Sequence, residues 1–128
     1  MARSVLLQLA RDSIEEVLEA KRKIDKQTLI SEYPLLKESV GASIKIFLEN
    51  KLRGKSHLHN TNISLIESII LNAKKAAFED MNFSPISTSE YLACEIEIEL
   101  NTPEGVINER DPSILETTDY SIQKEFNN

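Results

Sequence analysis

The sequence predicts an α+β domain, an antiparallel sheet with a β-hairpin packed on one face by amphipathic helices. Three observations predict it. Apolar and polar residues alternate with period two in residues 42–58 and 93–100, apolar residues recur at helical spacing in residues 6–18 and 63–77, and cap or turn residues separate these stretches. The chain has 128 residues, 41% of them hydrophobic and 28% charged. That suits one soluble globular core and is too short for two.

The first helix is predicted over residues 2–24. Leu6, Ala10, Ile14, Val17 and Leu18 form its buried stripe, and Arg11, Glu15, Glu16 and Glu19 lie on the other sides. Lys21, Arg22 and Lys23 fall where they favour the carbonyl end of that helix. Residues 25–39 read as a short helical turn or an irregular connection, because Pro34 disfavours helix at Tyr33.

In the next stretch Ala42, Ile44, Ile46 and Leu48 alternate with Ser43, Lys45, Phe47 and Glu49, and a turn at Glu49-Asn50 leads into a second strand. Period two on that strand sets Lys51, Arg53, Lys55, His57 and His59 on one face and Leu52, Gly54, Ser56 and Leu58 on the other. The second helix follows over residues 62–79, with Ile63, Ile66, Ile69, Ile70, Ala73, Ala76 and Ala77 inward. Thr61, Asn62 and Ser64 are its cap candidates, the last with Glu67 at capping-box spacing. Ser87-Thr88-Ser89-Glu90 repeats that signature before a short helix. Residues 93–100 form the clearest strand, with Cys94, Ile96, Ile98 and Leu100 inward and Glu95, Glu97 and Glu99 outward. The single domain is expected to span residues 1–103, and 104–128 reads as a polar acidic tail, partly ordered at best.

Charge narrows the function classes. Residues 1–86 hold 13 Lys and Arg against 11 Asp and Glu, residues 87–128 hold 2 against 10, and the whole chain is at −6. This balance argues against a nucleic-acid binder. No apolar run is long enough for a signal peptide or a spanning helix, so no membrane partner is expected and a cytoplasmic protein is the default. Cys94 is the only cysteine, on the apolar side of its strand, and reads as structural rather than nucleophilic. His57 and His59 alone are too few to hold zinc, and neither a metal nor a cofactor is expected. With three glycines there is no phosphate-binding loop, and no catalytic set is visible.

The ordered set of motifs resembles the AMMECR domain family. It comprises residues 7–14 (LQLARDSI), Gly41-Ala42-Ser43-Ile44, Leu52-Arg53-Gly54, residues 72–80 (NAKKAAFED), Phe83-Ser84-Pro85, Glu90-Tyr91-Leu92 and residues 95–100 (EIEIEL). The family's Leu-Arg-Gly continues into Cys-Ile-Gly, whereas Lys55-Ser56-His57 stands here. A further strand-and-helix portion ending in a lysine-alanine-glycine-leucine-like segment has no counterpart, so the chain resembles a shortened or divergent member. The resemblance implies no settled reaction. It implies an association with Memo-like and radical-SAM proteins of a modification pathway.

Two functions are expected from these residues. In the first, the chain is a binding module whose hairpin, at Arg53, Gly54, Lys55 and His57, accepts an anionic small molecule or an acidic protein partner. Gly54 lets a ligand or another backbone approach closely. In the second, it is an enzyme or enzyme subunit in which Arg53 orients substrate and His57 acts as acid or base. The plainer reading of the same basic strand is that it lies beside the Glu95, Glu97 and Glu99 ladder and pairs with it across the sheet.

Overall fold

The Ser4 hydroxyl accepts a hydrogen bond from the Leu7 amide and opens helix α1 (Val5–Glu19), which closes at Ala20 in the left-handed conformation. The computed structural model describes residues 4–58, 63–102 and 105–111. Helix α1 stops short of the predicted end, so Lys21, Arg22 and Lys23 lie beyond its last turn. Its buried residues are Leu7, Leu9, Ala10, Arg11, Ser13 and Ile14, while Leu6 and Leu18 are partly buried and Val17 is 47% exposed. The predicted stripe is corrected in two places, since Val17 faces out and Arg11 faces in. Arg11 is buried because a carboxylate, Asp111, is buried with it.

Asp25 caps helix α2 (Lys26–Glu32) by accepting from the Thr28 amide. Tyr33, at φ −133 and ψ 81, leads into a 3-10 turn (Pro34–Lys37). Strand β1 (Gly41–Leu48) and strand β2 (Lys51–Leu58) form the hairpin. Glu49 and Asn50 both have positive φ, 54° and 64°, as a two-residue turn requires when it matches the twist of its strands. Helix α3 (Leu65–Phe78) is capped by Ser64, as its spacing to Glu67 predicts. Helix α4 (Thr88–Ala93) begins with the full capping box of Ser87 and Glu90. Strand β3 (Glu95–Thr102) then runs antiparallel to β1, and strand β4 (Gly105–Arg110) runs antiparallel to β3.

Among the described residues the sheet has the order β2-β1-β3-β4. Its inner face carries Ala42, Ile44, Ile46, Ile96, Ile98 and Leu100, and it packs against α1 and α3 through Ala10, Ile14, Ile66, Ile69 and Ala73. Each fully buried isoleucine there contributes roughly 1.5–3 kcal/mol. Strand β4 lies in the stretch read as a polar tail, so the sheet runs past the boundary drawn at residue 103. Residues 112–128 and His59 lie outside the described residues. No helix among the described residues is long and apolar enough to cross a membrane.

Candidate functional site

The hairpin that carries the candidate residues is not a regular ladder. Its register shifts between Ile46 and Phe47: Gly54 is opposite Ile46 and Leu52 is opposite Phe47, which leaves Arg53 as the extra residue of a β-bulge. A bulge moves the side-chain alternation by one position, and that breaks the predicted single basic face. Lys55 and His57 stand opposite Lys45 and Ser43, on the face that α1 and α3 leave open. Arg53 turns toward the connection between α3 and α4.

There the Arg53 guanidinium is held on both sides of its fork. Nε donates to Glu90 Oε2 at 3.1 Å, and Nη2 donates to Glu90 Oε1 at 2.9 Å and to the Pro85 carbonyl at 3.4 Å. The Phe83 ring lies 5.7 Å from the guanidinium carbon. Glu90 also caps α4, accepting from the Ser87 amide at 3.1 Å. The Arg53 hydrogen bonds, supported by that amide, hold the Glu90 carboxyl down at about 2. Arg53 is therefore matched to an anion of its own chain, bidentately, as guanidinium and carboxylate prefer.

Gly54 is buried against helix α3, where an added Cβ would stand 2.1 Å from the Ala76 carbonyl oxygen. The close approach expected of this glycine is thus made by a helix backbone. The next amide, of Lys55, donates to Asp80 Oδ2 at 3.0 Å, which caps the outer edge of the sheet. Ser56 donates to Asn72 Oδ1 at 2.8 Å, and the buried Asn72 in turn donates to the carbonyls of Ala42 and Ser68. These contacts fix the strand from the inside and leave its outer face to Lys55 and His57.

That open face is polar and carries both signs of charge. Lys45 stands between Lys55 on β2 and Glu97 on β3, and Ser43 stands between His57 and Glu99. Two adjoining depressions lie over these strands. One, of about 350 Å³, is lined by Ser43, Lys45, Lys55, Ser56, His57 and Glu99. The other, of about 190 Å³, is lined by Ser43, Lys45, Glu97, Glu99 and Asn108. Ser43 Oγ donates to Glu99 Oε1 at 3.4 Å. Neither Lys45 nor Lys55 makes an ion pair through its ammonium group among the described residues. Toward the far end of the face Arg110 bonds Glu95 at 3.1 Å and covers the Phe47 ring at 4.3 Å.

The sequence-predicted site residues are thus divided. Lys55 and His57 share the open face, while Arg53 and Gly54 belong to the strand's attachment to the helices. The basic strand does not lie beside the glutamate ladder, because β1 separates them. Lys45, Ser43 and Glu99 were missed, although the alternation of the first strand already put Ser43 and Lys45 on its polar side. Cys94 is buried, its Sγ 3.2 Å from the Tyr91 carbonyl, and burial pushes its thiol pKa up, as befits a structural cysteine. No group of three or more His, Cys, Asp or Glu side chains is placed to hold a metal ion among the described residues.

No curated protein matches the chain. The crystal structure of the uncharacterized protein PH0010 from Pyrococcus horikoshii is similar, with 30% sequence identity and a TM-score of 0.66 over 77% of this chain. The chain spans 50% of the length of that structure. The AMMECR1 family model matches residues 7–123, from the first turns of α1 past the end of β4. The chain belongs to the AMMECR1 family.

Proposed function

We propose that this chain is a binding module that takes an anionic group, of a small molecule or of an acidic protein segment, on the open face of its sheet at Lys45, Lys55 and His57. One observation carries the reading: Lys45 and Lys55 are direct cross-strand partners. Like charges placed opposite one another cost stability, and a fold that keeps them at the rim of a depression has a use for the combined field. Arg53 and Gly54 serve the same site indirectly. The bulge they form rotates Lys55 and His57 outward, and the Glu90 carboxylate and the Ala76 carbonyl hold the bulge in place.

The test is a thermal-shift screen of di- and tricarboxylates and phosphorylated metabolites on wild type, Lys55→Glu, and Lys37→Glu as a surface control. A compound that raises the melting temperature of wild type and of the control but not of Lys55→Glu is the expected result. If every stabilising compound acts equally on Lys55→Glu, the open face is not the site.

A second reading, an enzyme or enzyme subunit of a modification pathway, is supported by the company His57 keeps, since Ser43 and Glu99 line the same depression. It requires the His57 titration, followed by NMR, to shift when the compound binds. A titration unchanged by a bound compound would leave His57 no acid–base part in its chemistry.

A further inference from the structure

On the helix side of the molecule, away from the open sheet face, the end of α1, the start of α2 and the middle of α3 enclose a cleft of about 670 Å³. Its size is that of a small-molecule site. The charged residues that line it are Arg22, Lys23, Lys26 and Lys74 against Glu16 and Asp25. The lining residues themselves sum to +2 in a chain whose net charge is −6, and Glu15, Glu19 and Glu67 meet two of the lysines from just outside the lining.

Both wall carboxylates are already engaged. Glu16 accepts from the Lys23 and Ile24 amides at 2.8 and 2.9 Å and from Lys74 Nζ at 3.3 Å, and Asp25 caps α2. Of the cations, Lys74 is paired with Glu16 itself. Lys23 bonds outward to Glu15 and Glu19, but the Arg22 guanidinium has no carboxylate partner among the described residues. Lys26 is paired only with Glu67, in a bridge exposed on both sides, which is weak and open to exchange. Ile24 and Ile70 supply an apolar floor beneath these groups.

We propose that this cleft binds a phosphate monoester of small-metabolite size. Arg22 and Lys26 take the dianion at the mouth of the cleft, and the carbon portion of the ester rests on Ile24 and Ile70. A planar fork and a point charge at the mouth of one pocket are the usual means of holding a phosphoryl group. This site uses no residue of the open sheet face and stands independently of the function proposed there.

The test is an amide NMR titration of wild type and Arg22→Gln with glycerol 3-phosphate and, separately, inorganic phosphate, at constant ionic strength. Arg22 is exposed, and the spectrum itself reports whether the variant is folded. Saturable shifts at residues 22–27 and at Lys74 are expected, with affinity about tenfold lower in Arg22→Gln. Absence of saturable shifts there, or equal affinity in the variant, overturns the site. Shifts confined to Ser43, Lys45, Lys55 and His57 overturn it as well and favour the open face instead. Inorganic phosphate bound as tightly as the ester would overturn the assignment of an ester ligand.

Discussion

Arg53 and Glu90 are each other's best partner, and both serve local structure at the same time: Arg53 is the bulged residue of β2, and Glu90 closes the capping box of α4. Their pairing has a pH signature. The Glu90 carboxyl is held at about 2 instead of 4.5, chiefly by the Arg53 hydrogen bonds. A carboxyl with a depressed folded-state pKa adds stability that is fully present above its unfolded value and is lost as pH falls toward the folded one. The stability difference between wild type and Glu90→Gln should therefore be constant above about pH 5 and shrink between about pH 4.5 and about pH 2, read from urea midpoints at each pH. A difference that does not change across that window would mean the pair is not formed in solution. Gly54 makes a second residue-scale case. A Cβ at this position meets the Ala76 carbonyl at 2.1 Å, and backbone cannot swing aside as a side chain can. Gly54→Ala should cost at least about 1–3 kcal/mol by overpacking. An unchanged urea midpoint would show that β2 is not seated on α3 there. The sequence showed that Gly54 allows a close approach; it did not show what approaches, because Ala76 contributes only its main chain.

At the scale of elements, the hairpin, α3 and the clearest strand were legible because each repeats one period over many residues, and their caps, Ser64 and Ser87, carry glutamates at the right spacing. What was not legible depends on distant pairs or on a broken period. A two-residue turn with an unbroken ladder would pair Ile46 with Arg53 and turn Lys55 and His57 toward the core; the bulge reverses them, and period two has no means of announcing it. Strand β4 was missed because Val106 and Ile107 are adjacent and both exposed on an edge, so no alternation marks them. Arg11 was assigned to solvent because its partner lies 100 positions away: Nε and Nη2 donate to Asp111 Oδ2 at 3.0 and 2.7 Å, and further bonds run to the Tyr91 and Cys94 carbonyls. Asp111 also accepts from the Ile96 amide, so one carboxylate joins α1, β3 and the end of β4. Removing one member of a buried pair strands the other, and Asp111→Ala should lose about 3–5 kcal/mol. The urea midpoint checks it, and a loss below about 1 kcal/mol would mean that Arg11 finds water or another partner.

The whole molecule divides its work between two faces of one sheet. The inner face is apolar and is anchored by α1 and α3, and the outer face collects Ser43, Lys45, Lys55, His57, Glu97 and Glu99 without a covering element among the described residues. A surface selected for stability alone would place opposite charges across β1 and β2, as it does across β1 and β3, where Lys45 faces Glu97. The Lys45–Lys55 pair departs from that rule at the site of proposed binding, which is where a fold is expected to give up stability for function. Lys55→Glu separates the two contributions. It replaces the like-charge contact with Lys45 by an opposite-charge one and at the same time sets a carboxylate near Asp80, which the Lys55 charge favours, so the folded state should change by no more than about 1 kcal/mol, while the anion bound by wild type is lost. Urea unfolding without ligand and thermal shift with ligand measure the two effects on the same protein. Intrinsic stability within about 1 kcal/mol of wild type together with lost binding is the outcome that a binding face predicts. A loss well beyond that would show that Lys55 is held by the fold itself, through Asp80, and its place opposite Lys45 would then have a structural cause.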